Sequence, residues 1–345
     1  MKSFVGYKKG INLGGWLSQC VSYEKEHFDN FIVEEDIKRI ADFGFDHIRL
    51  PIDYDVIEND DGIVKEDGMS HIFDCIGWAR KHHLNVVLDL HKAYGFMFDK
   101  KEVPDPDKFF TDEKLQERFY LTWEHLMRRF ADESDIVAFE LLNEVVNPDY
   151  TEAWNRIATK AIRLIRGYAP KAYIIVGGVM HNSVLAVPHI KVEWDDHIVL
   201  NFHCYEPLCF THQHAHWVEN IDYDMKYPAD ISIYEEKSKL LDQHHAQDVF
   251  SDMIGEIDET FFEKIFESAL YYAQIRNLPL YCGEYGVIDK APILDTINWV
   301  RDISGIFEKY NIGRALWNYK EKDFGLMDSR WDENREELLR ILCER

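Results

Sequence analysis

A (β/α)8 TIM barrel is the fold class this sequence predicts, with one insertion after the sixth strand on the catalytic face. Three observations lead there. Short apolar runs of strand length alternate with longer stretches of helical spacing along all 345 residues, a length that suits one barrel. Gly10 in the first run and Gly14 and Gly15 in the turn after it do not give the phosphate-binding glycine spacing of a doubly wound sheet. Several runs also end in a charged or polar side chain, where a barrel gathers its functional groups.

The elements follow in order. Residues 10–13 read as the first strand, and 34–43 have helical spacing stopped by Gly44. Residues 45–51 form the second strand and 68–83 a helix. Residues 85–91, Asn-Val-Val-Leu-Asp-Leu-His, form the third strand. The next helix, 114–130, sets Leu115, Phe119, Trp123, Leu126 and Phe130 on one face. Residues 136–142 are a run too short for an independent helix and lead to Asn143 and Glu144. A helix over 151–168 follows, with Trp154, Ile157, Ala161, Leu164 and Ile165 as its apolar stripe. Strands are predicted at 172–177, 198–205, 278–284 and 314–319, and helices at 261–276, 293–310 and 332–342. The stretch 208–255 is polar, acidic and too long for a simple strand-to-helix loop, so it reads as the insertion. No repeat or Pro/Ser-rich linker appears, and 1–345 is read as a single catalytic domain.

Composition narrows the function. A formal net charge of −24 disfavours nucleic acid, anionic membranes and acidic polysaccharides, so a neutral substrate fits better. The six cysteines show no zinc or redox spacing and are expected to be free thiols. The N-terminus lacks a signal-like apolar segment. The expected location is therefore cytoplasmic, or secreted if a leader has been removed. A monomer without cofactor or metal is expected.

The strand tips carry the chemistry. In order they offer Trp16, Arg49, His91, Asn143 and Glu144, His203 and Tyr205, Glu284, and Trp317. Two carboxylates delivered by separate strands are what glycoside hydrolysis requires. Strand alternation places His203 and Tyr205 on one face and Cys204 on the other. Each glutamate alone reads equally well as a loop cap or a structural ion pair.

Taken together, His47-Ile-Arg-Leu-Pro51, Leu88-Asp-Leu-His91, Asn143-Glu144, Asn201-Phe-His-Cys-Tyr205, Tyr281-Cys-Gly-Glu-Tyr-Gly286 and Leu316-Trp317 resemble glycoside hydrolase family 5, the cellulase family. Gly10-Ile-Asn-Leu-Gly-Gly-Trp16 strengthens the match. The branch it most resembles is that of compact endoglucanases, which also carry an insertion after strand six. The resemblance implies a retaining mechanism with Glu144 as acid/base and Glu284 as nucleophile. Glu144 is expected to be held neutral by the charge of Glu284 and by burial, and Glu284 ionised by Arg49 and Tyr205. Asn143 would bind the sugar 2-hydroxyl, His91 the hydroxyls of the sugar on the nonreducing side, and Trp317 would stack beneath that ring. His203 would orient or tune Glu144. Lys92 stands where many relatives have a second histidine, so one hydroxyl contact is expected to move to Tyr94 or another loop residue. Trp16, Tyr94, Phe96, Tyr150, Phe210 and Trp217 are further aromatic candidates for sugar contact.

The implied substrate is a neutral β-glucan or derived oligosaccharide. An exo-acting β-1,3-glucanase, a β-glucosidase or a β-mannanase would use the same constellation. Two other classes remain as rivals. One is a metal-dependent barrel hydrolase using His212, His214 and His216; the other is a noncatalytic carbohydrate-binding barrel.

Overall fold

The computed structural model describes residues 1–241, 249–250 and 253–344. Eight parallel strands close into a barrel in sequence order: β1 (Lys9–Asn12), β2 (His47–Asp53), β3 (Asn85–Lys92), β4 (Val137–Glu140), β5 (Ile174–Gly177), β6 (Ile198–Cys204), β7 (Leu280–Tyr285) and β8 (Gly313–Leu316). β8 pairs back onto β1, with Gly10 opposite Ala315.

Alternation along the strands sorts the two faces. Ile48, Leu50, Val86, Leu88, Phe139, Ile174 and Leu200 face outward into the main core, which the surrounding helices complete. These include Glu66–Lys81, Glu113–Phe130, Thr151–Tyr168, Glu259–Arg276 and Ile293–Tyr310. The interior is layered. At its base Val87, Ala138, Ile175, Val199, Tyr281 and Ala315 form a separate apolar cluster closed by Phe4 and Tyr7, whose rings stack at 4.2 Å. Above it lie the buried polar side chains Asn12, Arg49, Asp89, Glu140 and Asn201. The catalytic-face groups form the next layer.

The sequence expectations differ from the structure in three places. β4 ends at Glu140, and Leu141 and Asn143 continue only as single bonds, Leu141 N–H to Ile175 and Asn143 N–H to Leu90, at 3.1 and 3.0 Å. β6 and β8 likewise stop at Cys204 and Leu316, leaving Tyr205 and Trp317 just past the ladder, where side chains can turn over the barrel mouth. Between β5 and β6, where the sequence reading assigns no helix, the chain makes only the turns Val179–Asn182 and Val184–His189, and Met180, His181 and Asn182 all adopt left-handed backbone with φ of 54°.

Between β6 and Glu259–Arg276 the chain forms the short helices Leu208–Thr211 and Ile231–Ser238. Of the expected insertion at 208–255, residues 242–248 and 251–252 lie outside the described residues. All six cysteines are free thiols, four of them buried. Among the described residues no helix is long and apolar enough to cross a membrane.

Candidate active site

Arg49 is fully buried and organises the floor of the site. Its Nε and Nη2 donate to the two carboxylate oxygens of Glu140 at 2.7 and 2.9 Å. Nη1 donates to Asn12 Oδ1 at 3.0 Å and to Glu284 Oε1 at 2.6 Å. Nη2 also reaches Asn143 Oδ1 and Asp89 Oδ2, each at 3.0 Å. Paired charges with satisfied hydrogen bonds are the form in which a guanidinium and carboxylates tolerate burial.

Glu284 reaches the cleft through an irregularity. β6 and β7 pair Phe202 with Cys282 and then His203 with Glu284, so Gly283 is an extra residue on β7. Gly283 faces the barrel, its N–H donating to Asn201 Oδ1 at 2.9 Å, and a Cβ there would meet Asn201 and His203 within 3.1 Å. The bulge turns Glu284 inward beside it. Tyr205 OH donates to Glu284 Oε2 at 2.9 Å. Burial and the charge of Glu284 hold the Tyr205 phenol protonated, well above its ordinary pKa.

Glu144 enters from the opposite rim with φ of 40°, a left-handed conformation uncommon outside glycine. His203 Nδ1 lies 2.7 Å from its Oε1, and His181 Nδ1 lies 3.4 Å from its Oε2. One oxygen of Glu144, one of Glu284 and one nitrogen of His203 lie within 4.8 Å of one another.

The expectation of a neutral Glu144 is corrected here. Burial pushes its carboxyl upward, but hydrogen bonds from His181 and His203 outweigh burial and hold it below the ordinary glutamate range. His203 moves the other way: burial lowers it, while the charge of Glu284 and the bond to Glu144 raise it above its ordinary value. The two shifts run in opposite directions, as expected for an imidazole and a carboxylate in contact at 2.7 Å.

His91 stands on Asp89, two residues back on the same strand face, with Nδ1 2.7 Å from Asp89 Oδ2. Burial lowers its pKa, but Asp89 raises it further, and the net direction is upward. Its ring stacks on Trp317 at 5.9 Å. Asn143 Nδ2 lies 3.4 Å from His91 Nε2. A Cβ at Gly14 would come within 2.5 Å of the Trp317 ring, so the small residue after β1 makes room for the indole. Arg49, His91, Asn143, Glu144, His203, Tyr205, Glu284 and Trp317 are thus brought to one end of the barrel.

Two adjoining cavities open at the carboxyl pair, with Glu144 and Tyr205 lining both. One, of about 480 Å³, is lined by Glu144, Glu284, Trp317, Gln19 and Glu102. The other, of about 350 Å³, is lined by Glu144, His181, Val146 and Leu208. Of the aromatic candidates, Trp217 lines both cavities. Trp16, Phe96 and Phe210 are core residues, Tyr150 packs on Phe110, and Tyr94 lies 5.4 Å beneath the Arg118 guanidinium. Lys92 bonds Asp55 at 3.1 Å and Glu102 at 2.8 Å. The group beside His91 is Gln19, whose Nε2 lies 3.0 Å from His91 Nε2.

The motif reading missed Gln19 and His181. Both sit on left-handed loop backbone, for which the surrounding sequence carries no periodic signal. Asp89 was within reach, since strand period puts it under His91. The histidine run does not assemble into a metal-sized group. His214 turns to Asp222 and Asp224 at 2.7 and 3.0 Å, and His212 packs edge-on against Tyr205. Among the described residues only Glu144, His203 and Glu284 form such a group, and these are the groups at the centre of the cleft.

The family described as cellulase (glycosyl hydrolase family 5) matches residues 9–323. The chain belongs to glycosyl hydrolase family 5. As a family 5 protein it is a glycosidase. It is 39% identical to endoglucanase C of Acetivibrio thermocellus, over 99% of each chain. It is 43% identical to cellodextrinase A of Ruminococcus flavefaciens, over 90% of this chain and 84% of that one. The solved structure of endoglucanase Cel5A from Thermotoga maritima superposes with a TM-score of 0.76, covering 97% of this chain and 96% of that one at 24% identity, a likeness of fold.

Proposed function

We propose that this family 5 enzyme is a retaining endo-β-1,4-glucanase acting on soluble, neutral β-glucan or its oligosaccharides, with Glu284 as nucleophile and Glu144 as acid/base. The observation that carries the reading is the carboxyl pair, with oxygens within 4.8 Å. That separation suits a covalent glycosyl intermediate and leaves no room for the water of an inverting reaction. The two adjoining cavities that meet at Glu144 suit a chain running past the pair, and the endoglucanase relative matched over its full length supports the same substrate class.

In the first step a Glu284 oxygen attacks the anomeric carbon. The bond to the glycosidic oxygen breaks, and that oxygen takes its electron pair and a proton from Glu144. In the second step Glu144 removes a proton from water, which attacks the same carbon and releases Glu284. His203, with Nδ1 2.7 Å from Oε1, stands where it can pass a proton to Glu144 and take one back as the carboxyl alternates between acid and base. Asn143 meets the 2-hydroxyl, His91 meets hydroxyls of the nonreducing-side sugar, and Trp317 stacks beneath that ring. Arg49 and Tyr205 orient the attacking carboxylate. Every group comes from this one chain, so a monomer is sufficient, and we read 1–345 as one catalytic domain with 208–255 as part of its rim.

Hydrolysis of cellotetraose followed by NMR tests the mechanism. The expected first product is the β-anomer, and Glu284→Gln abolishes turnover while sugar binding persists. A first-formed α-anomer would overturn the retaining assignment. Activity on laminarin or mannan that exceeds activity on β-1,4-glucan would overturn the substrate assignment.

A further inference from the structure

We propose that His181 is a positioning residue for proton transfer to the leaving group, a role that rests on Glu144 being the acid/base. The two oxygens of Glu144 have different neighbours. Oε1 is taken by His203, whose side chain is 2% exposed, while Oε2 is approached by His181, whose side chain is 22% exposed at the rim. His181 also lines the cavity that contains Glu144 but not Glu284 or Trp317, the side where the departing sugar would lie. Oε2 is therefore the oxygen facing the leaving group, and His181 is the ring beside it.

The backbone around His181 is organised toward the same place. Met180, His181 and Asn182 all have φ of 54°, a conformation that L residues adopt at a cost and that collects at functional sites. The run is stitched to the two residues after Glu144: Met180 N–H donates to Val146 and His181 N–H to Val145, each at 3.1 Å. Its last member, Asn182, is buried, with Nδ2 3.4 Å from His203 Nε2. Three strained residues thus connect the acid's own loop to its other histidine, and they project one imidazole onto the acid's second oxygen.

The chemistry follows from that placement. When the glycosidic bond breaks, the proton leaves Glu144 Oε2 for the glycosidic oxygen, and negative charge develops on Oε2. A proton on His181 Nδ1, donated to Oε2, stabilises that charge as it forms. The 3.4 Å separation is of the loose kind that shortens once a substrate is engaged.

The test compares leaving groups. Phenyl β-cellobioside needs a proton to depart, and 2,4-dinitrophenyl β-cellobioside does not. His181→Gly removes the ring and suits the left-handed backbone, so its melting temperature is expected to match or exceed that of the unaltered enzyme. Its kcat/KM on the phenyl substrate is expected to fall about 10-fold, the size of one charge-assisted hydrogen bond. On the dinitrophenyl substrate the change should stay within about twofold. His181→Asn, which tolerates this backbone and offers an amide N–H, should recover part of the loss. An equal loss on both substrates, or no loss on the phenyl substrate, overturns the proposal. Glu144→Ala provides the separate control. If it fails to discriminate between the substrates, the acid/base reading itself falls. If it discriminates while His181→Gly does not, only the role of His181 falls.

Discussion

At Arg49 a guanidinium without solvent exposure meets Glu140, Glu284, Asn143, Asn12 and Asp89 at once, and the geometry of the nucleophile depends on it. A neighbouring carboxylate shows the opposite situation. Asp53, at the end of β2, is buried and its Oδ1 has no hydrogen-bond partner. Burial pushes its carboxyl from 3.8 up to about 6, against the opposing charge of His91. The folded state therefore holds this proton more tightly than the unfolded chain does. The contribution of Asp53 to stability falls as pH rises from 3.8 through about 6, and the destabilisation is complete above that window. Asp53→Asn keeps an acceptor for the Gln19 N–H and cannot ionise. Denaturant titrations across pH should find the variant more stable than the unaltered chain at about pH 8, with the difference vanishing below about pH 4. A pH-independent difference would contradict this account.

Among the elements, β7 decides how the pair meets. Simple alternation from Tyr281, which faces the barrel, would send Gly283 inward and Glu284 out toward the helices. The extra residue at Gly283 lets both face the cleft, and Tyr285 then turns outward onto Trp299 and Phe307. The loop after β3 shows a second such decision. Lys92 bridges Asp55, in the turn after β2, to Glu102, which lines the larger cavity. It therefore acts as a strut that holds one wall of the cleft. Lys92→Met should raise KM for cellotetraose several-fold and leave kcat within about twofold, because the bond broken holds the wall rather than the reacting atoms. A fall in kcat at unchanged KM would place Lys92 in the chemistry instead.

For the molecule as a whole, the net charge of −24 sets a long-range preference. Carboxymethylcellulose, an anionic substrate, should be repelled at low ionic strength. Its kcat/KM is expected to rise several-fold between about 10 and 200 mM NaCl, as the screening length falls from about 30 Å to below 10 Å. Neutral hydroxyethylcellulose should show little change over the same range. A matching salt response on both polymers would remove the charge argument.

The barrel and eight of the nine tip residues were legible in the linear pattern, whereas Trp16, the ninth, folds into the core. Apolar runs of strand length mark each strand, and closure of eight of them brings their ends together wherever they lie in sequence. The inward turn of Glu284, the seat of Gln19 beside His91, the strut at Lys92 and the approach of His181 to Glu144 were decided only by the tertiary structure. Each depends on a bulge, a left-handed loop residue or an ion pair between distant segments. Such features have no period, and their energies exist only once the neighbouring strands have set the distances.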